Sequence, residues 1–231
     1  MKTPSLFHFV VITGLTFAGA KLFAQESTPP FSTEEREQVY SATIAKRATA
    51  AVELLAITDT AKSNKVHGVI ISQYRALRAR DEALDNMFRA LSKDAPGAET
   101  NRAVVLPVLS RQLHQQFIAK LGDELTQIQV EQIKDKMTYN KLKVTFDAYC
   151  AIIPNLSNSD KTQVMELLKA AREEAMDGGS ADEKSAIFQR YKEQVNAYLG
   201  RHGHDVAKAT REWEAKQASA APAEGAPKPA N

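Results

Sequence analysis

The run Arg172-Glu173-Glu174-Ala175-Met176-Asp177-Gly178-Gly179-Ser180 concentrates the residues best able to do chemistry. Three carboxylates fall in what reads as the last turns of a helix, where the macrodipole favours cations, and Glu173 and Asp177 form a like-charged i, i+4 pair. Each effect costs a few tenths of a kcal/mol, so a compensating partner is expected. A structural partner would be Arg172, Lys184 or Lys192, reaching the acids across the turn. A ligand partner would be an array of sugar hydroxyls or a cation. Calcium held by Asp177, Ser180, Asp182 and Glu183 would lack EF-hand spacing. Glu173 and Asp177 could also serve glycoside cleavage, which needs one carboxyl kept protonated and a second ionised across the scissile bond.

Other reactive side chains offer less. His202-Gly203-His204-Asp205 reads as a loop, and two histidines without a third ligand at defined spacing make a poor zinc site. Cys150 follows Tyr149 on an apolar helical face and reads as a core thiol. Being the only cysteine, it has no intramolecular disulfide partner. The chain has no Gly-rich phosphate loop, no Gly-x-Ser-x-Gly elbow and no His-Glu-x-x-His. Neither a catalytic residue, a metal site nor a cofactor is therefore assigned. Tyr139, Tyr149, Tyr191, Tyr198 and Trp213 gather in the C-terminal half, either as core or as a platform on which sugars stack.

These residues must be positioned by helices. Between Phe31 and Gln217 the prolines are Pro96, Pro107 and Pro154, and long stretches rich in Ala, Leu, Lys, Glu and Gln have no breaker. Capping-box patterns mark four helix starts: Ser32 with Glu35, Thr126 with Gln129, Ser157 with Asp160, and Ser180 with Glu183. The predicted helices cover 33–56, 60–93, 98–121 with a bend or break at Pro107, 126–153, 158–177, 181–199 and 205–217. In the second, Val66, Ile70, Tyr74, Leu77, Leu84, Phe88 and Leu91 form one apolar stripe. The stretch 126–153 is ambiguous, because Leu142, Val144 and Phe146 alternate like a strand. The helical stripe Leu142, Phe146, Tyr149, Ile153 runs longer and decides for helix, with Thr138-Tyr139-Asn140 as a kink. Short connections make this an all-α antiparallel bundle of about six to seven helices over residues 25–217. Ala218 to Asn231 is an Ala/Pro-rich tail expected to be disordered.

The N-terminus carries a different signal. Lys2, an apolar run from Leu6 to Ala20 and small residues before Gln25 describe a signal peptide over residues 1–24, cleaved after Ala24 or else after Ala20. The apolar run is too short to span a bilayer. The expected product is exported, periplasmic or extracellular, with no membrane insertion after cleavage. Removing Lys2 and Lys21 from the 30 basic residues leaves 28 against 28 acidic ones, so the formal +2 belongs to the leader. A neutral chain argues against nucleic acid as partner, since phosphates demand a basic excess.

Two resemblances follow. Leu125-Thr126-Gln127-Ile128-Gln129 is similar to the Leu-Thr-x-x-Gln motif of small helical periplasmic chaperones and envelope-stress proteins. Phe31-Ser32, Leu125-Thr126 and Leu156-Ser157 are each followed by Gln and then Val or Ile, so a recurring staple and cap explains the same pattern. More of the chain is covered by Ile133-Lys134-Asp135-Lys136-Met137-Thr138-Tyr139-Asn140, Ala148-Tyr149-Cys150, Ile153-Pro154, Ala171 through Ser180, Glu183-Lys184, Phe188, Tyr191-Lys192, Asn196, Tyr198-Leu199 and Trp213. This series resembles the secreted bacterial family known as domain of unknown function 3826. It departs from the family pattern at Gln194 and Ala197. The resemblance implies a carbohydrate-related role, because the family is loosely described as sugar-binding and occurs beside polysaccharide-degrading enzymes.

Together these readings predict a non-catalytic protein that binds a poly- or oligosaccharide. The expected contacts are Asp135, Lys136, Tyr139, Arg172, Glu173, Asp177, Lys184, Tyr191, Lys192 and Asn196. The acids would accept from hydroxyls, the basic groups and Asn196 would donate, and the tyrosines would stack on a pyranose face. Chaperone activity and an enzyme using Glu173 and Asp177 are the alternatives.

Overall fold

Apolar stripes and helix caps, read in chain order, produce eight α-helices among the residues described by a computed structural model, 32–91 and 98–220. They are α1 (Thr33–Glu53), α2 (Thr60–Leu91), α3 (Ala98–Gly122), α4 (Gln127–Met137), α5 (Lys141–Ile152), α6 (Asn158–Met176), α7 (Ala181–Arg201) and α8 (Val206–Ala220). No strand occurs among those residues, and the all-α class holds. The expected leader and the segment Asp94 to Gly97 lie outside the described residues.

The caps form as their residue types require, with two variations. Ser32 and Thr126 accept from the backbone of Glu35 and Gln129, whose side chains reach back to the cap N–H. Ser157 accepts from the Asp160 amide, but its hydroxyl donates to the Asp160 carboxylate (2.6 Å), so no reciprocal bond closes. Ser180 accepts from the Glu183 amide, while Glu183 reaches one residue further and takes the Gly179 N–H (2.6 Å).

The predicted helix over 126–153 is two helices, which brings the count above the expected six to seven. Asn140 donates its N–H to the Asp135 carbonyl (2.8 Å) and Tyr139 to the Lys136 carbonyl (3.2 Å), the two bonds of a Schellman ending. Tyr139 and Asn140 both have left-handed φ, 57° and 54°, which ends α4 and re-aims the chain into α5. Glycine is the residue that normally meets this demand, so its absence hid the break. At Pro107 the opposite occurs: α3 passes through the proline uninterrupted. At the other end of the chain, α8 continues to Ala220, three residues into the expected tail.

Consecutive helices pack as short connections dictate, α1 on α2, α2 on α3, α5 on α6 and α6 on α7. Two apolar cores result. The first joins α1 to α4 through Ile44, Ile70, Phe117, Leu121 and Ile133, with Met176 from the end of α6. The second joins α5 to α8 around Leu142, Tyr149, Val164, Leu168, Phe188 and Leu199. Fully burying each such aliphatic or aromatic side chain contributes about 2 kcal/mol. The helix α6 thus starts in one core and ends at the other, and α4 packs across it.

Candidate functional site

The C-terminal end of α6 lacks basic residues in its last turn, yet its orphan carbonyls are satisfied by cations from other helices. Lys184 of α7 is almost wholly buried, and its Nζ donates to the carbonyls of Ala175 (2.7 Å) and Met176 (3.3 Å). Burial pushes its ammonium down to about 8, against a partial rise from Asp177. Arg80 of α2 donates from Nη2 to the Asp177 carbonyl (2.9 Å). The same guanidinium holds Asp81 Oδ1 (2.7 Å) and the Ser110 hydroxyl (2.8 Å). Gly179 packs closely beside it: a Cβ there would lie 2.5 Å from Asp81 Oδ2 and would displace that carboxylate.

The acids themselves are gathered by His114 of α3. Its Nε2 meets Glu173 Oε2 at 3.3 Å and its Nδ1 meets Asp177 Oδ1 at 3.2 Å, so both ring nitrogens donate when the imidazole is protonated. Hydrogen bonds to Asp177 and then Glu173 outweigh the opposing effect of burial and lift the imidazolium to about 9. Burial would raise the Glu173 carboxyl. Bonds from His114 and Lys134, with the charges of Lys134 and Arg172, win and hold it at about 2.

Behind Glu173 stands an ion network from α4 and α6. Lys134 Nζ contacts Glu173 (3.0 Å) and Glu131 (2.9 Å). The buried Arg172 guanidinium donates to Asp135 (2.7 Å), Glu173 (3.1 Å) and Glu131, and its Nε has no hydrogen-bond partner among the described residues. Three cations, His114, Lys134 and Arg172, meet on the Glu173 carboxylate and fix its position more firmly than any one pair could.

Arg80, Asp81, Ser110, His114, Glu173 and Asp177 line one cleft of about 790 Å³ between α2, α3, α6 and α7. Leu106, Pro107, Ala170, Ala186 and Ile187 supply apolar surface; Arg80, Asp81, Arg102, Arg111, His114, Glu173, Glu174, Asp177, Glu183 and Arg190 supply charge. Most of these charges are paired within the protein, Arg102 with Asp85 (2.5 Å) and Arg190 with Glu174.

Of the residues expected from sequence, Glu173 and Asp177 line this cleft. Arg172, Asp135 and Lys184 stand behind its wall, in the ion network and under the α6 carbonyls. The other five scatter. Tyr191 is half-buried with the Arg190 guanidinium over its ring (5.6 Å). Lys192 and Asn196 face α5, where the Tyr149 hydroxyl donates to the Lys192 carbonyl (3.3 Å) and to Asn196 Oδ1 (2.7 Å). Lys136 and Tyr139 are exposed at the end of α4. The aromatics do not form one platform: Tyr149 is buried, and Tyr198 packs on His202 with ring centroids 4.1 Å apart. His202 and His204 both turn onto the buried Asp160 (2.9 and 3.4 Å), which also takes the Tyr198 hydroxyl (3.2 Å).

Sequence reasoning missed His114, Lys134, Glu131, Arg80 and Asp81. Arg80 had a legible signal, since it occupies a gap in the apolar stripe of α2 between Leu77 and Leu84. His114 carries none, because its partners lie 59 and 63 residues away.

No curated protein matches the chain. Over residues 41–219 the chain matches the family described as protein of unknown function (DUF3826), and with that span, which includes every residue of the α3–α6 charge cluster, it belongs to this family.

Proposed function

We propose that the protein is exported and binds a carbohydrate, without transforming it, in the cleft between α3 and α6–α7. The observation that carries this reading is the combination of apolar surface, Leu106, Pro107 and Ile187, with planar polar groups held rigid from behind, Arg80, His114, Glu173 and Asp177. A sugar ring presents a C–H face and hydroxyls that both donate and accept. Donors and acceptors already fixed by an ion network avoid the ordering cost that flexible side chains incur on binding.

The electrostatics favour binding over glycoside cleavage by Glu173 and Asp177. Such cleavage needs one of the two carboxyls kept protonated near neutral pH, whereas Glu173 is held ionised far below its ordinary range and Asp177 is paired with the same His114 ring (3.2 Å). Glu173 and Asp177 are the direct contacts in this reading. Asp135, Arg172 and Lys184 hold them in place, Tyr191 lies beyond the Arg190 wall, and Lys136, Tyr139, Lys192 and Asn196 would touch only a ligand extending past the cleft. Calorimetric titration with a panel of plant polysaccharide fragments tests the proposal; no heat at millimolar ligand removes it. Export is tested by N-terminal sequencing of the protein recovered outside the cytoplasm, with Gln25 the expected first residue.

A chaperone reading has one observation in its favour. A second, largely apolar groove between α2 and α3 is lined by Ala79, Ala83, Leu84, Met87, Val105, Leu109 and Leu113, and Val104 and Val108 are exposed on the same helix. An aggregation assay on an unfolded client decides it, and an unchanged curve at equimolar protein eliminates it.

A further inference from the structure

Charge bookkeeping in the cleft leaves one group over. Five carboxylates line it, and each is committed within the protein: Asp81 to Arg80, Glu173 and Asp177 to His114, Glu174 to Arg190, and Glu183 to the Gly179 N–H. Arg111 lines the same cleft and has no hydrogen-bond or ion-pair partner among the described residues. Its own helix offers none, since the residues three and four positions away are Val108, His114, Pro107 and Gln115. His114, one turn on, carries a second positive charge when it bridges its two acids. An arginine left without a protein anion, in a cleft whose five carboxylates are all committed and whose apolar surface includes Pro107 and Ile187, is a donor set open to an external acceptor.

Resting on the carbohydrate reading, we infer that the ligand is an acidic saccharide whose ring carboxylate is bound by Arg111. The guanidinium supplies a planar fork that matches a carboxylate through two parallel N–H bonds. A single free cation matches a monoanion. Polysulfated or phosphorylated sugars would bring more negative charge than Arg111 can neutralise, against the surrounding carboxylates.

The test uses the mature chain and calorimetric titration at low salt with oligosaccharides of galacturonate, glucuronate and mannuronate, each beside its neutral carboxyl-reduced form. At least one acidic oligosaccharide is expected to bind at least tenfold more tightly than its reduced form, as a charge-assisted pair implies. Arg111→Gln is expected to abolish that preference while leaving affinity for the reduced form within twofold, and Arg111→Lys to keep part of it. Because Arg111 is exposed and unpaired, the melting temperatures of both variants should match the parent, which excludes misfolding as the cause. Equal affinity for acidic and reduced sugars, or a preference that survives Arg111→Gln, overturns the inference and leaves carbohydrate binding standing. Binding of neither form overturns both.

Discussion

At its two ends α6 meets carboxylate and histidine in opposite proportions. At the N-terminal end a single buried acid, Asp160, accepts from Ser157, Tyr198, His202 and His204. The helix dipole favours an acid there, so the cluster agrees with its own helix and ties α7 and the start of α8 to it. At the C-terminal end two acids, Glu173 and Asp177, share one histidine on a helix end that disfavours them. That end is tolerable only because Arg80, Lys134, Arg172 and Lys184 arrive from three other helices and from α6 itself. Charges that suit their helix close the fold, whereas charges set against it are those that line the large cleft. This is the pattern expected where a structure keeps locally costly polar groups for binding.

The largest break in this comparison should come from Arg172→Ala. It strips the buried guanidinium from Glu131, Asp135 and Glu173, and a loss of about 3 kcal/mol is expected in urea unfolding. A loss under 1 kcal/mol would mean that the network is solvated and holds nothing rigid.

His114→Gln comes next, at about 2 kcal/mol near pH 6, since it removes a cation from between two acids. Its pH signature sharpens the point. The imidazolium rises from an ordinary 6.5 to about 9, so its contribution is complete below pH 6.5 and disappears as pH climbs through 9. Lys184 acts with opposite sign, because its depressed value near 8 lets folding gain stability as pH rises from 8 toward 10.5. The difference between parent and His114→Gln isolates the histidine and should vanish above pH 9.

At the other end, Asp160→Asn should lower the melting temperature less than His114→Gln does. Bonding from Ser157 first, and then from the two histidines, holds Asp160 well below its usual 3.8 against the effect of burial. Its contribution is therefore present above pH 3.8 and persists into more acid solution than an ordinary aspartate's. A melting difference that collapses near pH 5 would contradict that.

Tyr139→Gly is the smallest change and the only gain, about 1 kcal/mol, because glycine meets the left-handed φ of 57° without a Cβ penalty. Thermal melting decides its sign.

The fold was legible where local signals agree with the tertiary result. Four caps placed the starts of α1, α4, α6 and α7, and the stripe from Val66 to Phe88 is buried as its spacing requires. The α4–α5 break was not, because a tyrosine and an asparagine do the work of glycine. For the site, the acid-rich end of α6 announced itself through its conflict with the dipole. Its partners did not, since Arg80, His114 and Lys134 sit 39 to 97 residues away from the groups they hold and follow no fixed spacing. The aromatic residues misled for a related reason: helical spacing put Tyr149 into the interior and Tyr198 half-buried against the second core, where their hydroxyls find Asn196 and Asp160.

The central claim is that the cleft on the unfavourable end of α6 is where a ligand binds. Backbone amide NMR shifts during titration with an acidic oligosaccharide test it most directly. The account predicts changes concentrated on Ser110 to His114 and Glu173 to Gly178, with the Ser157, Asp160 and His202 to His204 amides unmoved. Shifts confined to the Asp160 end, or to Lys136 and Tyr139, would contradict it.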